Sequence, residues 1–268
     1  MGDKTKIDWC DASWNPVTGC ENNCPYCYAR GIAERFGTNW LPDKNPDTYK
    51  CVLDGTETHS ILELDGLQAR KQKDGKIVPA AYPLGFAPTL HRYRLDEPQR
   101  WSKPKTIFVC SMADLFGDWV PDSWIKEVYD ACCAGSQHRY LFLTKNPGRV
   151  VRLIKNGIVL PNTIDWWYGY TIDGERELAK ERPIGLKTFC SVEPLLRCPD
   201  AKMLDQIAMT NWCIIGAETG NRKEKVIPEK RWIDLIVDRC RDEYISVFMK
   251  ESLRGIMGED FRQEFPWE

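Results

Sequence analysis

Gly19-Cys20-Glu21-Asn22-Asn23-Cys24-Pro25-Tyr26-Cys27-Tyr28 places three cysteines within eight residues. Just upstream, near Trp14–Val17, the chain reads as a strand. Downstream, Tyr28–Phe36 puts Ala29, Ile32, Ala33 and Phe36 on one helical face. The loop therefore joins a strand to a helix, and α/β folds collect their ligands at the carboxyl ends of such strands. Soft thiolates select zinc, Cu(I) or iron–sulfur clusters. A complete [4Fe–4S] site ordinarily uses four cysteines. A loop that offers three covers three corners of a cubane and leaves one iron open to a substrate or cofactor. Structural zinc would want a fourth nearby ligand, and His59, His91 and His138 are distant in sequence. Zinc completed by Cys10 or a remote thiol stays as the weaker alternative.

Outward from this loop, strand-like runs occur at Thr106–Cys110, Arg139–Leu143, Trp166–Thr171, Lys187–Val192, Trp212–Ile215 and Ser246–Met249. Helical spacing separates them. After Pro121, with Asp122 as the expected N-cap, Ile125, Val128, Tyr129 and Cys132 recur. After Pro228, Trp232, Ile233, Ile236, Val237 and Cys240 line up, and Val150, Val151 and Ile154 mark a short helix after Pro147. Strands alternating with helices suit a doubly wound sheet or an open or closed βα barrel. The reading is a single α/β domain over 1–268, an open (β/α) barrel. It carries an irregular insertion after the first helix, at about 38–105, where Gly, Pro and charge replace periodicity.

Composition narrows the class. The chain has 268 residues, long enough to bury a sizeable core, and 43% of them are hydrophobic, which excludes wholesale disorder. No apolar run approaches a membrane span, and MGDKTKIDWCD lacks the apolar stretch of a signal peptide. The expected location is therefore cytoplasmic, without membrane attachment, and the twelve cysteines are expected as thiols rather than disulfides. A net charge of −2 predicts no strong global attraction to polyanions.

The C-x3-C-x2-C spacing, with the aromatic Tyr26 before the third cysteine, resembles the signature of the radical S-adenosylmethionine superfamily. Trp14-Asn15-Pro16, Ser111-Met112-Ala113-Asp114-Leu115-Phe116 and Ile215-Gly216-Ala217-Glu218-Thr219-Gly220 extend the likeness over nearly the whole chain, towards a phage-associated subfamily of unknown function. The resemblance implies that Cys20, Cys24 and Cys27 ligate a [4Fe–4S] cluster whose open iron chelates S-adenosylmethionine. One electron then breaks a C–S bond and releases a 5′-deoxyadenosyl radical, which abstracts hydrogen from a substrate. It also implies an electron donor of flavodoxin or ferredoxin type. Tyr26, Ser111 and Asp114 would lie at the cofactor; the familiar Gly-Gly-Glu form is absent, and Ser111 and Asp114 look more like the version in members related to spore photoproduct lyase. An N-cap or turn role is the bland reading of Asp114. Lys145, at a strand end, would meet the cofactor carboxylate, with a plain surface lysine as the alternative.

Glu193 before Pro194 and Glu218 before Thr219 also end strands, where a carboxylate, a poor strand former, suggests a side chain aimed at a ligand. Cys110, Cys190 and Cys213 sit in apolar strands as core residues; Cys110 is the best placed of them for a role as hydrogen-atom donor. Residues 64–105 carry nine Lys/Arg against four Asp/Glu. His91-Arg92-Tyr93-Arg94 and Arg100-Trp101-Ser102-Lys103-Pro104-Lys105 interleave cations with rings, as a nucleotide or nucleic-acid site would, although a solvated surface explains them equally well. Trp40, Trp101 and the pair Trp166-Trp167 are core residues or, more sharply, platforms for a base. A non-catalytic metal-binding module or partner-dependent adaptor is the alternative of a different class. Substrate and oligomeric state are not written in the sequence.

Overall fold

The computed structural model describes residues 5–37, 49–53, 60–71, 75–158, 160–161, 165–174, 185–219 and 222–268. Two compact units make up the chain, one spanning Cys10–Phe142 and the other Lys6–Trp9 with Leu143–Glu268.

The first unit opens with β1 (Ala12–Trp14), β2 (Val17–Thr18) and helix α1 (Tyr28–Phe36). The strand expected near Trp14–Val17 is thus two strands. Pro16 lacks a ladder N–H, and the chain breaks there. β1 then pairs in parallel with β8, while β2 turns to pair antiparallel with β7 in a second sheet. Between α1 and β8 come β3 (Tyr49–Leu53), β4 (Ser60–Leu64), β5 (Ala69–Lys71), β6 (Ile77–Pro79) and β7 (Thr89–His91). They form a four-stranded sheet in the order β2-β7-β4-β3 and a separate β5-β6 hairpin. Three to five residues are too few to show a period of two, so this stretch carried little pattern in the sequence.

β8 (Thr106–Val109), α2 (Asp122–Ala134) and β9 (Arg139–Thr144) follow, with β8 and β9 parallel. Pro121, not Asp122, holds the N-cap position of α2; Asp122 is the first helical residue, where its charge suits the helix dipole. Trp124, Ile125, Val128, Tyr129 and Cys132 form the buried face of α2.

The second unit contains α3 (Pro147–Lys155), β10 (Trp166–Thr171), β11 (Thr188–Val192), α4 (Ala201–Ile207), β12 (Trp212–Ile215), α5 (Lys230–Asp242), β13 (Ser246–Met249) and α6 (Arg254–Met257). β10 through β13 pair in parallel, each with the next. Their strands are buried on both faces, the mark of a sheet covered by helices. Helix α4, which carried too short a pattern to be expected, starts at Asp200, whose Oδ1 accepts the Met203 N–H at 2.8 Å. Ile233, Ile236, Val237 and Cys240 are the core face of α5. Trp166 and Trp167 are buried, and Trp167 packs edge-on against Trp267 at 5.5 Å, so the pair belongs to the core. Trp40 lies outside the described residues.

The parallel strands follow the order β1-β8-β9 in the first unit and β10-β11-β12-β13 in the second. The fold is therefore α/β with a parallel sheet and βα crossovers, as the strand–helix alternation predicts. Among the described residues no helix is long and apolar enough to cross a membrane.

Candidate metal and cofactor site

In the first unit, β1 ends at Trp14 and the chain reaches the cysteine loop within a few residues. Gly19 fixes where that loop starts. Its φ of +86° is left-handed, and a Cβ there would stand 2.2 Å from the Ala87 carbonyl oxygen, so only glycine fits. Its N–H donates to Met112 O at 2.9 Å, and Gly19 bridges in parallel to Ala113, just past the end of β8. The loop is thereby tied to the carboxyl end of β8.

Within the loop, Asn23 takes a left-handed φ of 50°, and Cys27 N–H donates to Cys24 O at 3.1 Å, closing a turn. Cys20, Cys24 and Cys27 are all partly exposed. Two of the sulfurs accept backbone N–H groups. Asn22 N–H donates to Cys20 Sγ at 3.5 Å, and Arg30 N–H donates to Cys27 Sγ at 3.4 Å, which makes Cys27 the N-cap of α1. Arg30 braces the loop with its guanidinium, donating to Cys20 O at 3.3 Å and Asn23 Oδ1 at 2.8 Å. Burial, and after it the Asp114 carboxylate, push the Cys20 thiol up to about 12. Such a thiol keeps its proton at neutral pH until a metal displaces it.

These residues suit an iron–sulfur cluster by donor chemistry: three soft thiols on one loop, with N–H groups already directed at two of the sulfurs. Among the described residues no three His, Cys, Asp or Glu stand close enough to share one metal ion. A cubane asks less convergence than a single ion, since its thiolates bind separate irons.

Ser111 and Asp114 follow β8 through Cys110, whose φ of 60° is uncommon for a residue with a side chain and turns the chain sharply. Ser111 Oγ donates to Asn15 Oδ1 at 3.2 Å, and Met112 N–H donates to the same oxygen at 2.8 Å. Ser111 O accepts the Tyr28 hydroxyl at 2.9 Å. Asp114 is buried; its Oδ1 accepts the Phe116 N–H at 3.2 Å and its Oδ2 accepts Asn22 Nδ2–H at 2.9 Å. The expected turn role of Asp114 is thus present, together with a side-chain bond to the cysteine loop. Tyr26 is partly exposed on the same loop. Cys110 is buried, and burial pushes its thiol up to about 12.

Asn22 and Arg30 were given no role in the sequence, and Asn15 entered only within Trp14-Asn15-Pro16. Asn22 lies between two candidate ligands, and that position was the available signal. Asn15 and Arg30 are ordinary polar residues whose partners are long-range or lie within the loop.

The remaining sequence-level candidates lie in the second unit. Lys145, following β9, donates from Nζ to Thr171 Oγ1 at the end of β10, at 3.3 Å. Glu193, following β11, accepts Lys250 Nζ, which follows β13. Both groups are about one-fifth exposed, at 24% and 18%. Gly216, following β12, makes room for the pair: a Cβ there would lie 3.0 Å from Lys250 Cδ and 3.1 Å from Glu193 Cγ. Glu218 is differently placed. It is buried and accepts from Arg222 Nε and Nη2, each at 2.6 Å, which keep its carboxyl below the usual range. The fold therefore brings Cys20, Cys24, Cys27, Tyr26, Ser111 and Asp114 into one unit, and Lys145, Glu193 and Glu218 onto strand ends of the other.

The interleaved cations and rings of 91–105 are turned inward only in part, with His91 and Arg94 buried. Arg94 is buried and donates to Asn15 O and Ala81 O, and Arg92 is shared by Glu63, Asp65 and Glu127. Of these cations, Arg100, which pairs with Asp96, and Lys103 stay exposed.

A solved structure of a spore photoproduct lyase mutant with dinucleoside spore photoproduct is similar to this chain, with a TM-score of 0.53. The identity is 11%, over 93% of this chain and 79% of that one. At that identity the likeness shows the fold alone: an α/β open barrel like that of the lyase. No curated protein matches the chain. A family model described as "Protein of unknown function (DUF5131)" matches residues 4–254, and the chain belongs to that family.

Proposed function

We propose that the protein is a radical S-adenosylmethionine enzyme. Cys20, Cys24 and Cys27 would hold a [4Fe–4S] cluster, and the polar strand ends would hold S-adenosylmethionine. The observation that carries this reading is the three-cysteine loop fastened past the end of β8, with backbone N–H groups on two of its sulfurs. The fold likeness supports it. When bound, the cluster and S-adenosylmethionine supply a carbon-centred radical for hydrogen abstraction. The chain's own contribution is to hold and orient. The cysteine loop presents three thiols, the Ser111–Asp114 turn stands against that loop, and Lys145 and the Glu193–Lys250 pair offer charge for a carboxylate or hydroxyl. An electron donor of flavodoxin or ferredoxin type is the partner this chemistry needs.

A nucleotide or nucleic-acid base is the substrate class to test first, since a solved structure of similar fold is a spore photoproduct lyase with dinucleoside spore photoproduct. Anaerobic reconstitution should give about four irons with matching sulfide per chain. Cys24→Ala should remove the visible absorbance while far-UV circular dichroism stays unchanged. Strong reductant with S-adenosylmethionine should then yield 5′-deoxyadenosine. One zinc per chain with no visible absorbance would overturn the proposal in favour of a non-catalytic metal-binding module.

A further inference from the structure

Asp114 and Asn22 are 92 residues apart in sequence and joined by one side-chain hydrogen bond of 2.9 Å. The turn after β8 can be closed by Asp114 Oδ1 and the Phe116 N–H alone, as an Asx residue on any surface does. Here the carboxylate is 4% exposed, and burying it costs free energy unless its oxygens are engaged. Its second oxygen is directed at the cysteine loop. The amide it accepts from belongs to the residue whose backbone N–H lies on Cys20 Sγ. A charge-assisted bond is about twice as strong as a neutral one, so this link is among the firmer ties between β8 and the loop.

We propose that Asp114 is a positioning residue. Through Asn22 it fixes the segment between Cys20 and Cys24, and its charge disfavours added electron density at the metal centre that those thiols hold. The inference rests on the reading of Cys20, Cys24 and Cys27 as cluster ligands. Holding the loop needs an amide facing a carboxylate, whichever side bears which. Loop fixation and turn closure are therefore separable, because exchanging the two groups restores the first.

The test is amide hydrogen exchange of residues 20–27 in metal-free protein, followed by iron content and midpoint potential after reconstitution. Asn22→Asp sets two carboxylates against each other and should speed exchange of the loop amides about tenfold. Asn22→Ala, which adds no charge, should speed it as well. The exchange of groups in Asn22→Asp/Asp114→Asn should return both protection and iron towards wild type, a recovery that a turn role for Asp114 would not produce. Asp114→Asn alone should raise the midpoint potential. Wild-type exchange in Asn22→Ala, or a folded double variant without recovery, would overturn the inference. If wild type takes up no iron while the exchange pattern holds, the functional reading fails and the loop clamp stands.

Discussion

Gly19 lies with its Cα against the carbonyl of Ala87, so close that a methyl group would sit 2.2 Å from the oxygen. Ala87 belongs to the segment leading into β7, which pairs with β2. The start of the cysteine loop is thus pressed onto the accessory sheet on one side and bonded to Met112 on the other. Gly19→Ala should cost roughly 2–4 kcal/mol, from the left-handed φ together with overpacking against backbone that cannot yield. Urea unfolding measures the loss. Iron uptake should fall with it, whereas Gly31→Ala, on helix α1 with open space around it, should leave both unchanged or slightly improved.

His91 gives the accessory sheet a pH dependence. It is fully buried, with Nε2 bonded to Thr18 Oγ1 at 2.8 Å and Nδ1 to the Tyr93 hydroxyl at 3.1 Å. Burial, and then the Arg94 charge, hold it well below its ordinary 6.5. A folded-state value below the unfolded one means that the neutral ring stabilises the fold above about 6.5 and that this stability is lost as pH falls from there. His138 is lowered too and contributes in the same window. The wild type should therefore lose at most about 1.4 kcal/mol per pH unit and per such histidine below that point. His91→Gln should be less stable at pH 7.5 yet show a shallower loss on going to pH 5.5; equal slopes in urea unfolding would contradict the assignment.

The parts that were legible in the sequence are those where periodicity and chemistry coincide. Trp166–Thr171, Trp212–Ile215 and Ser246–Met249 are strands with the boundaries read from the apolar runs, and Tyr28–Phe36 is the helix that its spacing demands. The β5-β6 hairpin was not legible, because Ala69–Lys71 and Ile77–Pro79, which pair with each other, are too short to alternate. The roles of charged residues were the least legible. Arg94 reads as a phosphate contact beside Tyr93, but its guanidinium is spent on the carbonyls of Asn15 and Ala81. Nothing local distinguishes a buried arginine from an exposed one.

Lys145 separates a ligand-binding role from a structural one. Its bond to Thr171 Oγ1 is 3.3 Å long and partly buried, a neutral acceptor at the far end of the hydrogen-bond range. Loss of this bond in Lys145→Ala should cost the fold about 1 kcal/mol. If the ammonium meets the carboxylate of S-adenosylmethionine, the same change should weaken that binding by roughly 1.5–3 kcal/mol. Calorimetric titration of reconstituted protein with S-adenosylmethionine, beside urea unfolding of the same samples, gives both numbers. Unchanged affinity would remove Lys145 from the cofactor site.

The segment His91–Lys105 makes the last test, because the structure divides its cations into two kinds. Arg94 is buried, and Arg94→Ala would leave the carbonyls of Asn15 and Ala81 without their donor, at roughly 2–4 kcal/mol. Arg92→Ala would strip the shared partner from Glu63, Asp65 and Glu127, of which Glu63 is the most buried. Replacing either arginine therefore reports on folding before it reports on any ligand. Lys103 is exposed, and Lys103→Ala should move stability by less than about 0.5 kcal/mol. It is the clean probe of phosphate contact. If short single-stranded oligonucleotides bind through this segment, Lys103→Ala should lower their affinity and reduce the slope of log K against log salt by about 1. A slope identical to wild type would retire the segment as a phosphate contact and favour a substrate without a polyanionic backbone.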